Sequence, residues 1–441
     1  MRARLAGWSP ARRGLIAIVG GVAGGQLLAL LASPILGRLF PPVQYGAFAV
    51  ITAAILPLGT VAALRLELAI PLPQQERHAW DLATLGLRMC AGLGLLGLLV
   101  TWFLRGPIAS ALGQGHAVAN LLPWVPVVAA EVGAFAVLNQ LAIRQKAYGA
   151  IARRSLLQAA ATLVAQITGG FLGLGAQGLA MGLAIGQGVG VATLALSVRQ
   201  NADAGPDHRA SARSLLSRYR SFPLLLAPAG LLNTLGLQAP VLIASALFGV
   251  EVSGWLGMTQ RILALPIGLL GTTLAQVYLG EFGEAKRTGS AQLAPLFTRT
   301  SKRLALVGVV IAAIVMAAGP LGFSLVLGSR WETSGQYARA LAVGLVVQMV
   351  ASPLSQTLIV MEKNLQQFVW DIARLAACSG AVWTGWKLGY GATATMWILG
   401  AATALMYAIV WYLSWRAVRH TGTFDLKEYT LQTDGVVGEI N

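Results

Sequence analysis

Residues 14–37 read GLIAIVGGVAGGQLLALLASPILG, twenty-four positions without a charge, framed by Arg12 and Arg13 before and Arg38 after. A helix rises about 1.5 Å per residue and the hydrocarbon core of a bilayer is about 30 Å thick, so about 20 apolar residues cross it. The stretch therefore reads as a membrane span. The arginines ahead of it resemble the n-region of an export signal. The apolar run is long, however, and others follow, so it is expected to be a retained first span.

Working outward, eleven further segments qualify: 46–64, 82–104, 121–142, 155–173, 177–198, 221–248, 255–279, 304–327, 337–360, 370–387 and 391–415. The expected fold class is an all-α polytopic membrane protein of about twelve transmembrane helices. Composition agrees, with 56% hydrophobic residues, 11% charged and a mean hydropathy of +0.68 over 441 residues. A soluble domain carries about 25% charged residues, so a soluble enzyme and a disordered chain are both excluded. Cys90 and Cys378 both lie in apolar runs, which implies neither a disulfide framework nor a metal site.

The net charge of +16 would elsewhere suggest a nucleic-acid partner. Here 26 of the 32 Lys and Arg fall on the side of the N-terminus. Five (Arg38, Arg105, Arg330, Arg339 and Lys387) fall on the other side, and Arg261 lies inside a span. That asymmetry is the positive-inside pattern, placing both termini in the cytoplasm and implying no nucleic acid. The expected layout is a cytoplasmic N-terminus over 1–13, an N-lobe over 14–198, a basic linker over 199–220, a C-lobe over 221–415 and a cytoplasmic tail over 416–441.

The lobes are inferred from an internal repeat. Leu39-Phe40 and Gly46 recur as Leu247-Phe248 and Gly254, Gly106-Pro107 as Gly319-Pro320, and Ile143-x-x-Lys146 as Val360-x-x-Lys363. Each pair falls at the same point of the span count, so two six-span bundles in parallel orientation are expected. Duplicated bundles are a common construction of secondary transporters. No phosphate-binding loop of the Gly-x4-Gly-Lys-Ser/Thr type is present, so ATP hydrolysis by that route is excluded. No nucleophilic triad is suggested, and the longest outside loop has about 16 residues. No catalytic activity and no cofactor are expected.

Charge inside a bilayer costs several kcal/mol and faces a cavity or a partner. Arg261 lies about 10 Å into the eighth span at 1.5 Å per residue, with Gly257, Ala264 and Gly268 on its face. It either grips an anionic group in two-point fashion or pairs with a carboxylate on another span. Glu131, in the middle of span four, is the partner of Arg261, an ion-coupling carboxylate, or a neutral hydrogen-bonded acid. Arg65 and Glu67 close span two as a snorkelling pair or a site, and Asp371 and Arg374 open span eleven with the same alternatives. Arg88 lines the inner vestibule or snorkels out. Gln26 of span one maps by the repeat near Asn233 and Thr234 of span seven, which line a shared cavity or bridge helices.

Several stretches carry a family resemblance: Pro34-Ile35-Leu36-x-Arg38-Leu39-Phe40-x-Pro42-x-x-Tyr45-Gly46 and Leu64-Arg65-x-Glu67-x-Ala69-Ile70-x-Leu72-Pro73. Arg144-x-Lys146-x-Tyr148-x-x-Ile151-Ala152, Gly254-Trp255 with Arg261-Ile262-x-x-Leu265-Pro266, and Trp331-x-x-x-Gly335-x-Tyr337 continue it in order. From about residue 14 to 415 the chain resembles bacterial O-antigen and exopolysaccharide flippases of the multidrug/oligosaccharidyl-lipid/polysaccharide exporter superfamily. The resemblance implies two six-helix lobes forming a V around a cationic central cavity, in the bacterial inner membrane. It implies transfer of undecaprenyl-pyrophosphate-linked oligosaccharide to the periplasmic leaflet, with a polymerase and a chain-length regulator of the same glycan pathway as partners. In related lipid II flippases an arginine in the matching segment of span eight serves substrate binding, and Arg261 holds that position. The resulting expectation is alternating access driven by a proton or sodium gradient, with Arg261, Arg88 and Arg65 meeting the pyrophosphate and Glu131 coupling the ion. A MATE-type drug/cation antiporter is the nearest alternative. A membrane-embedded glycan polymerase or ligase is a further one, disfavoured by the short outside loops.

Overall fold

In lipid a backbone must satisfy its own hydrogen bonds, which helices and closed barrels do. The computed structural model describes residues 10–111, 118–199, 211–266, 268, 272–287 and 293–437, with side chains described except at 10–19, 111, 265–266, 272–273, 275–276 and 420–437. No strand occurs among the described residues. The helices are α1 (Pro10–Leu39), α2 (Pro42–Val61), α3 (Glu76–Ala111), α4 (Trp124–Arg144), α5 (Tyr148–Phe171), α6 (Ala176–Arg199) and the short α7 (Ala212–Arg218). They continue as α8 (Ala227–Phe248), α9 (Val250–Pro266), α10 (Thr272–Arg287), α11 (Leu293–Leu327), α12 (Glu332–Leu354), α13 (Gln356–Val360), α14 (Asn364–Lys387) and α15 (Ala392–Val437).

Nine helical stretches among the described residues are long and apolar enough to cross a membrane. Expected spans five, eight and eleven fall outside that set. The two helices α5 and α14, at the places of spans five and eleven, carry Arg153, Arg154, Gln158 and Gln166, or Gln366, Gln367, Asp371 and Arg374. The span expected over 255–279 lies partly outside the described residues, which give α9 and α10 on either side. The tail expected over 416–441 is helical as far as Val437.

The repeat is visible in local geometry. After α5, Gly173 takes φ +69° while Leu174 N–H donates to Gly169 O (3.0 Å) and Gly173 N–H to Gly170 O (3.1 Å). After α14, Gly389 takes φ +75° while Tyr390 N–H donates to Gly385 O and Gly389 N–H to Trp386 O, both at 3.0 Å. This is one helix-ending motif, with a left-handed residue that glycine supplies without steric cost, written as Leu172-Gly173-Leu174-Gly175-Ala176 and Leu388-Gly389-Tyr390-Gly391-Ala392. The same motif ends α4 at Lys146 (φ 57°) and α13 at Glu362 (φ 61°). Lys146 therefore corresponds to Glu362, and the expected pairing with Lys363 is one residue out of register.

Tight packing divides the chain into two units, Met1–Ile262 with Pro320–Ser334 and Leu263–Gly319 with Gly335–Asn441. In the first, the loop-to-helix corners of the repeat meet each other. A Cβ on Gly46 would collide with the carbonyl of Val250, and one on Gly254 with the carbonyl of Pro42. Both pairs map onto each other by the same offset of 208, so this contact has local two-fold symmetry. Within the same unit α5 and α6 pack antiparallel along Gly178, Gly182, Gly186 and Gly190, set against Gly169, Gln166, Thr162 and Gln158. Small residues every fourth position let backbones approach closely. The second unit has its own core around Tyr278, Phe282, Phe297, Leu354 and Val418. The lobes read from the repeat, 14–198 and 221–415, follow a different criterion from packing and stand as a proposal.

Candidate functional site

Arg261 projects from α9 within the first unit. Its Nη2 donates to the carbonyl of Ala29 on α1 (3.3 Å) and its Nη1 to the hydroxyl of Tyr45 on α2 (3.5 Å). Among the described residues no carboxylate lies within ion-pair distance of it. The expected ion pair with Glu131 is therefore absent. Gly257 lies one turn back and faces Ala49, whose methyl a Cβ would meet at 2.6 Å, so the small-residue face admits α2 at that point. Tyr45 is fixed by edge-on contact with Trp331 (centroids 5.6 Å apart), and the Trp331 indole donates to Gly37 O at 2.7 Å. Three of the motifs that carried the resemblance thus converge on the surroundings of one guanidinium. Gln26 sits one turn before Ala29 on α1, with its Oε1 buried and unpartnered.

Arg65 lies at the other end of α2. Leu64 and Arg65 both adopt positive φ (53° and 60°), a left-handed break that ends the helix. Arg65 Nη1 pairs with Glu67 Oε1 at 3.4 Å, and the guanidinium lies against Gly230 of α8, where a Cβ would come within 2.6 Å of Nε. The side chains are 27% and 5% exposed, so Glu67 does not snorkel and Arg65 packs inward. Thr234, one turn along α8, donates to Gly230 O at 2.7 Å and is satisfied within its own helix. Asn233 is exposed. Tyr45 and Arg65 are separated by about 24 Å of α2, at 1.5 Å per residue up to Val61, and a four-residue turn, so the two arginines mark opposite ends of α2. Arg88 is exposed on α3 and touches neither group.

Glu131 forms a third group, with α5 and α6. Its Oε2 is buried without a partner, and its Oε1 faces Gly188, 3.3 Å from where a Cβ would stand. Close along the same helices lie three polar side chains with buried unpartnered atoms: Arg154 Nε, Gln158 Oε1 and Gln187 Oε1. Arg154 is 9% exposed and stacks its guanidinium 3.4 Å from the centroid of the Phe135 ring, one turn beyond Glu131. Arg154 is one of the 26 basic residues that the sequence assigns to the side of the N-terminus. The signal for its burial was present, since Arg154, Gln158, Thr162 and Gln166 recur every fourth residue on one face of α5.

In the second unit Asp371 and Arg374 pair at 3.2 Å with side-chain exposures of 8% and 4%, so the snorkelling reading fails there too. Arg374 also donates to the Tyr407 hydroxyl (3.1 Å) and lies over the Trp370 ring (4.6 Å). Trp370 is buried in a core cluster against which the partly buried Trp411 packs.

The chain belongs to the polysaccharide biosynthesis protein family, whose profile matches residues 35–336. Among known proteins it is similar to the succinoglycan biosynthesis transport protein ExoT of Rhizobium meliloti, at 23% identity over 393 residues, 87% of this chain and 76% of the relative. Its fold is that of an inward-facing multidrug resistance MATE family transporter of the MOP superfamily, with a TM-score of 0.64 over 95% of this chain and 97% of the other. A MOP superfamily transporter from Pyrococcus furiosus, described as having a binding pocket of reverse polarity, matches at 0.65 over 94% and 97%. The Vibrio cholerae MATE transporter VcmN matches at 0.64 over 93% and 97%. All three are 16% identical to this chain, a likeness of fold. Family and fold together make this chain a multi-pass membrane transport protein of polysaccharide biosynthesis.

Proposed function

We propose that the protein moves a lipid-linked oligosaccharide, carried on undecaprenyl pyrophosphate, from the cytoplasmic to the periplasmic leaflet of the bacterial inner membrane by ion-coupled alternating access. The observation that carries this reading is Arg261, a guanidinium held among three helices by a carbonyl and a phenol, with no carboxylate among the described residues to neutralise it. A carbonyl and a phenol fix its direction and leave its charge available. A planar two-point donor of that kind matches the oxygens of a pyrophosphate. Arg65, at the other end of α2, offers a second cation on the basic-rich side, and Arg88 a third near the entrance. Glu131 is the ion-coupling candidate, since a carboxylate whose oxygen lacks a hydrogen-bond partner gains most from a proton or a sodium ion. Such a gradient drives turnover only if the ion favours one access state over the other. A drug/cation antiporter calls for an acidic aromatic pocket, whereas here the group around Arg261 is cationic.

The test is production of surface polysaccharide in cells carrying Arg261→Ala or Arg261→Lys as the only copy. Both variants are expected to reach the membrane at normal level. The alanine variant should cut polysaccharide at least tenfold, and lysine should restore only part, because it lacks the two-point fork. Normal polysaccharide from the alanine variant removes Arg261 from the substrate path.

A further inference from the structure

The second unit holds a group of cations that the transport reading leaves unused. A cavity of about 470 Å³ opens between the start of α11 and the Trp415–Arg419 turn of α15. Thr298, Arg299, Lys302, Trp415 and Arg419 line it, and among the described side chains no acidic one does. Its floor is held in place by an aromatic ladder. Phe297 and Trp411 have ring centroids 6.0 Å apart, Trp411 stacks on Trp415 at 6.3 Å and 12°, and the Arg419 guanidinium lies 4.0 Å from the Trp415 ring centre. The Trp411 indole also donates to Ser301 Oγ on α11 at 3.0 Å, which ties the two helices together beside the cavity. None of Arg299, Lys302 and Arg419 has a carboxylate within ion-pair distance among the described residues.

The two helices then continue away from the cations with apolar side chains on the same faces. On α11 these are Leu306 and Val309, at 69% and 55% exposure, which follow Lys302 at helical spacing. On α15 they are Tyr412 and Leu405, which follow Trp415 toward the middle of the span, at 51% and 62% exposure. A soluble anion has no use for that apolar wall. A phospholipid does: its phosphate meets three cations and its acyl chains lie along the wall. Basic pockets between helices on the cytoplasmic side are where anionic headgroups bind, and the charge count assigns this end of the chain to the cytoplasm.

We propose that this pocket binds the phosphate of an anionic membrane phospholipid, as a site separate from the transport path. The test is native mass spectrometry of the full chain, purified in detergent and offered phosphatidylglycerol, phosphatidylcholine or inorganic phosphate. Phosphatidylglycerol is expected to bind at least fivefold more than phosphatidylcholine. The triple variant Arg299→Gln, Lys302→Gln, Arg419→Gln should abolish that preference, while Arg105→Gln in the first unit leaves it unchanged. Elution volume and melting temperature check that the variants are folded. Equal binding of the two lipids, or an unchanged preference in the triple variant, overturns the site. Displacement of phosphatidylglycerol by millimolar inorganic phosphate overturns the lipid assignment and leaves a site for free phosphate. Because the readout is binding, failure of the Arg261 experiment would leave this result untouched.

Discussion

At the scale of the residue, three half-buried charges of the first unit are accommodated in three ways. Arg65 has an acid beside it, Arg261 has neutral acceptors, and Glu131 has an oxygen with no hydrogen-bond partner among the described groups. The last is the least settled, because a buried polar atom left unpaired costs about 1–3 kcal/mol. Binding a proton or a cation is the way to relieve that cost, and the relief differs between states in which the carboxyl is open or closed to water. Glu131→Gln keeps the shape and removes the charge, so it should leave the melting temperature in detergent unchanged or raised. Polysaccharide output should fall at least tenfold in the same strain. A glutamine variant with full output would show that the acid is structural. Glu131 was readable in the sequence because a lone carboxylate in an apolar run stands out. Arg154 was readable only through its four-residue recurrence with Gln158, Thr162 and Gln166, since Arg153 is adjacent and the register of α5 decides which one turns inward against Phe135.

At the scale of the element, the glycine rows do what apolar burial does in water. Lipid is as apolar as leucine, so helix association in a membrane depends on close packing rather than on a hydrophobic driving force. Gly182 shows how close. A Cβ there would run into the Gln166 side chain and stand 2.8 Å from its backbone nitrogen, and Gln166 donates to Leu179 O at 3.1 Å across the same seam. Gly182→Ala therefore forces α5 and α6 apart, a cost of about 1–3 kcal/mol by analogy with overpacked cores. The melting temperature in detergent should fall by several degrees. Gly380→Ala in α14 is the matched control, because nothing lies within 4 Å of a Cβ there. That change should be neutral or slightly stabilising, as alanine has the better helix propensity. Equal effects at the two positions would mean that the seam is loose. Helix existence and approximate ends were legible throughout, because apolar length is decisive. The register of the repeat at Lys146 was not, because it depends on a left-handed turn at a non-glycine residue, which composition does not record.

At the scale of the whole molecule, the repeat and the orientation are legible to different degrees, and orientation is an expectation that rests on the basic residues alone. The repeat is legible in short matches, and its longest one, Leu-Gly-x-Gly-Ala at 172–176 and 388–392, becomes obvious once both turns are seen to end with the same hydrogen bonds. Which polar residues face a cavity is not legible, because that depends on helix rotation, as the inward-packed Arg65 and the exposed Asn233 show. The distribution of basic residues does not depend on rotation. It places Arg287 and Lys363 in the cytoplasm and Arg330 outside, and all three are exposed. Cys90 and Cys378 are buried, so single cysteines can be introduced without removing them. A membrane-impermeant maleimide added to spheroplasts should label Arg330→Cys and spare Arg287→Cys and Lys363→Cys. Inside-out vesicles should give the reverse. The outcome also bears on the proposed function, which has Arg65 meet a cytoplasmic substrate before Arg261 and therefore requires the basic rim to face inward. Labelling of Arg287→Cys from outside would reverse that order.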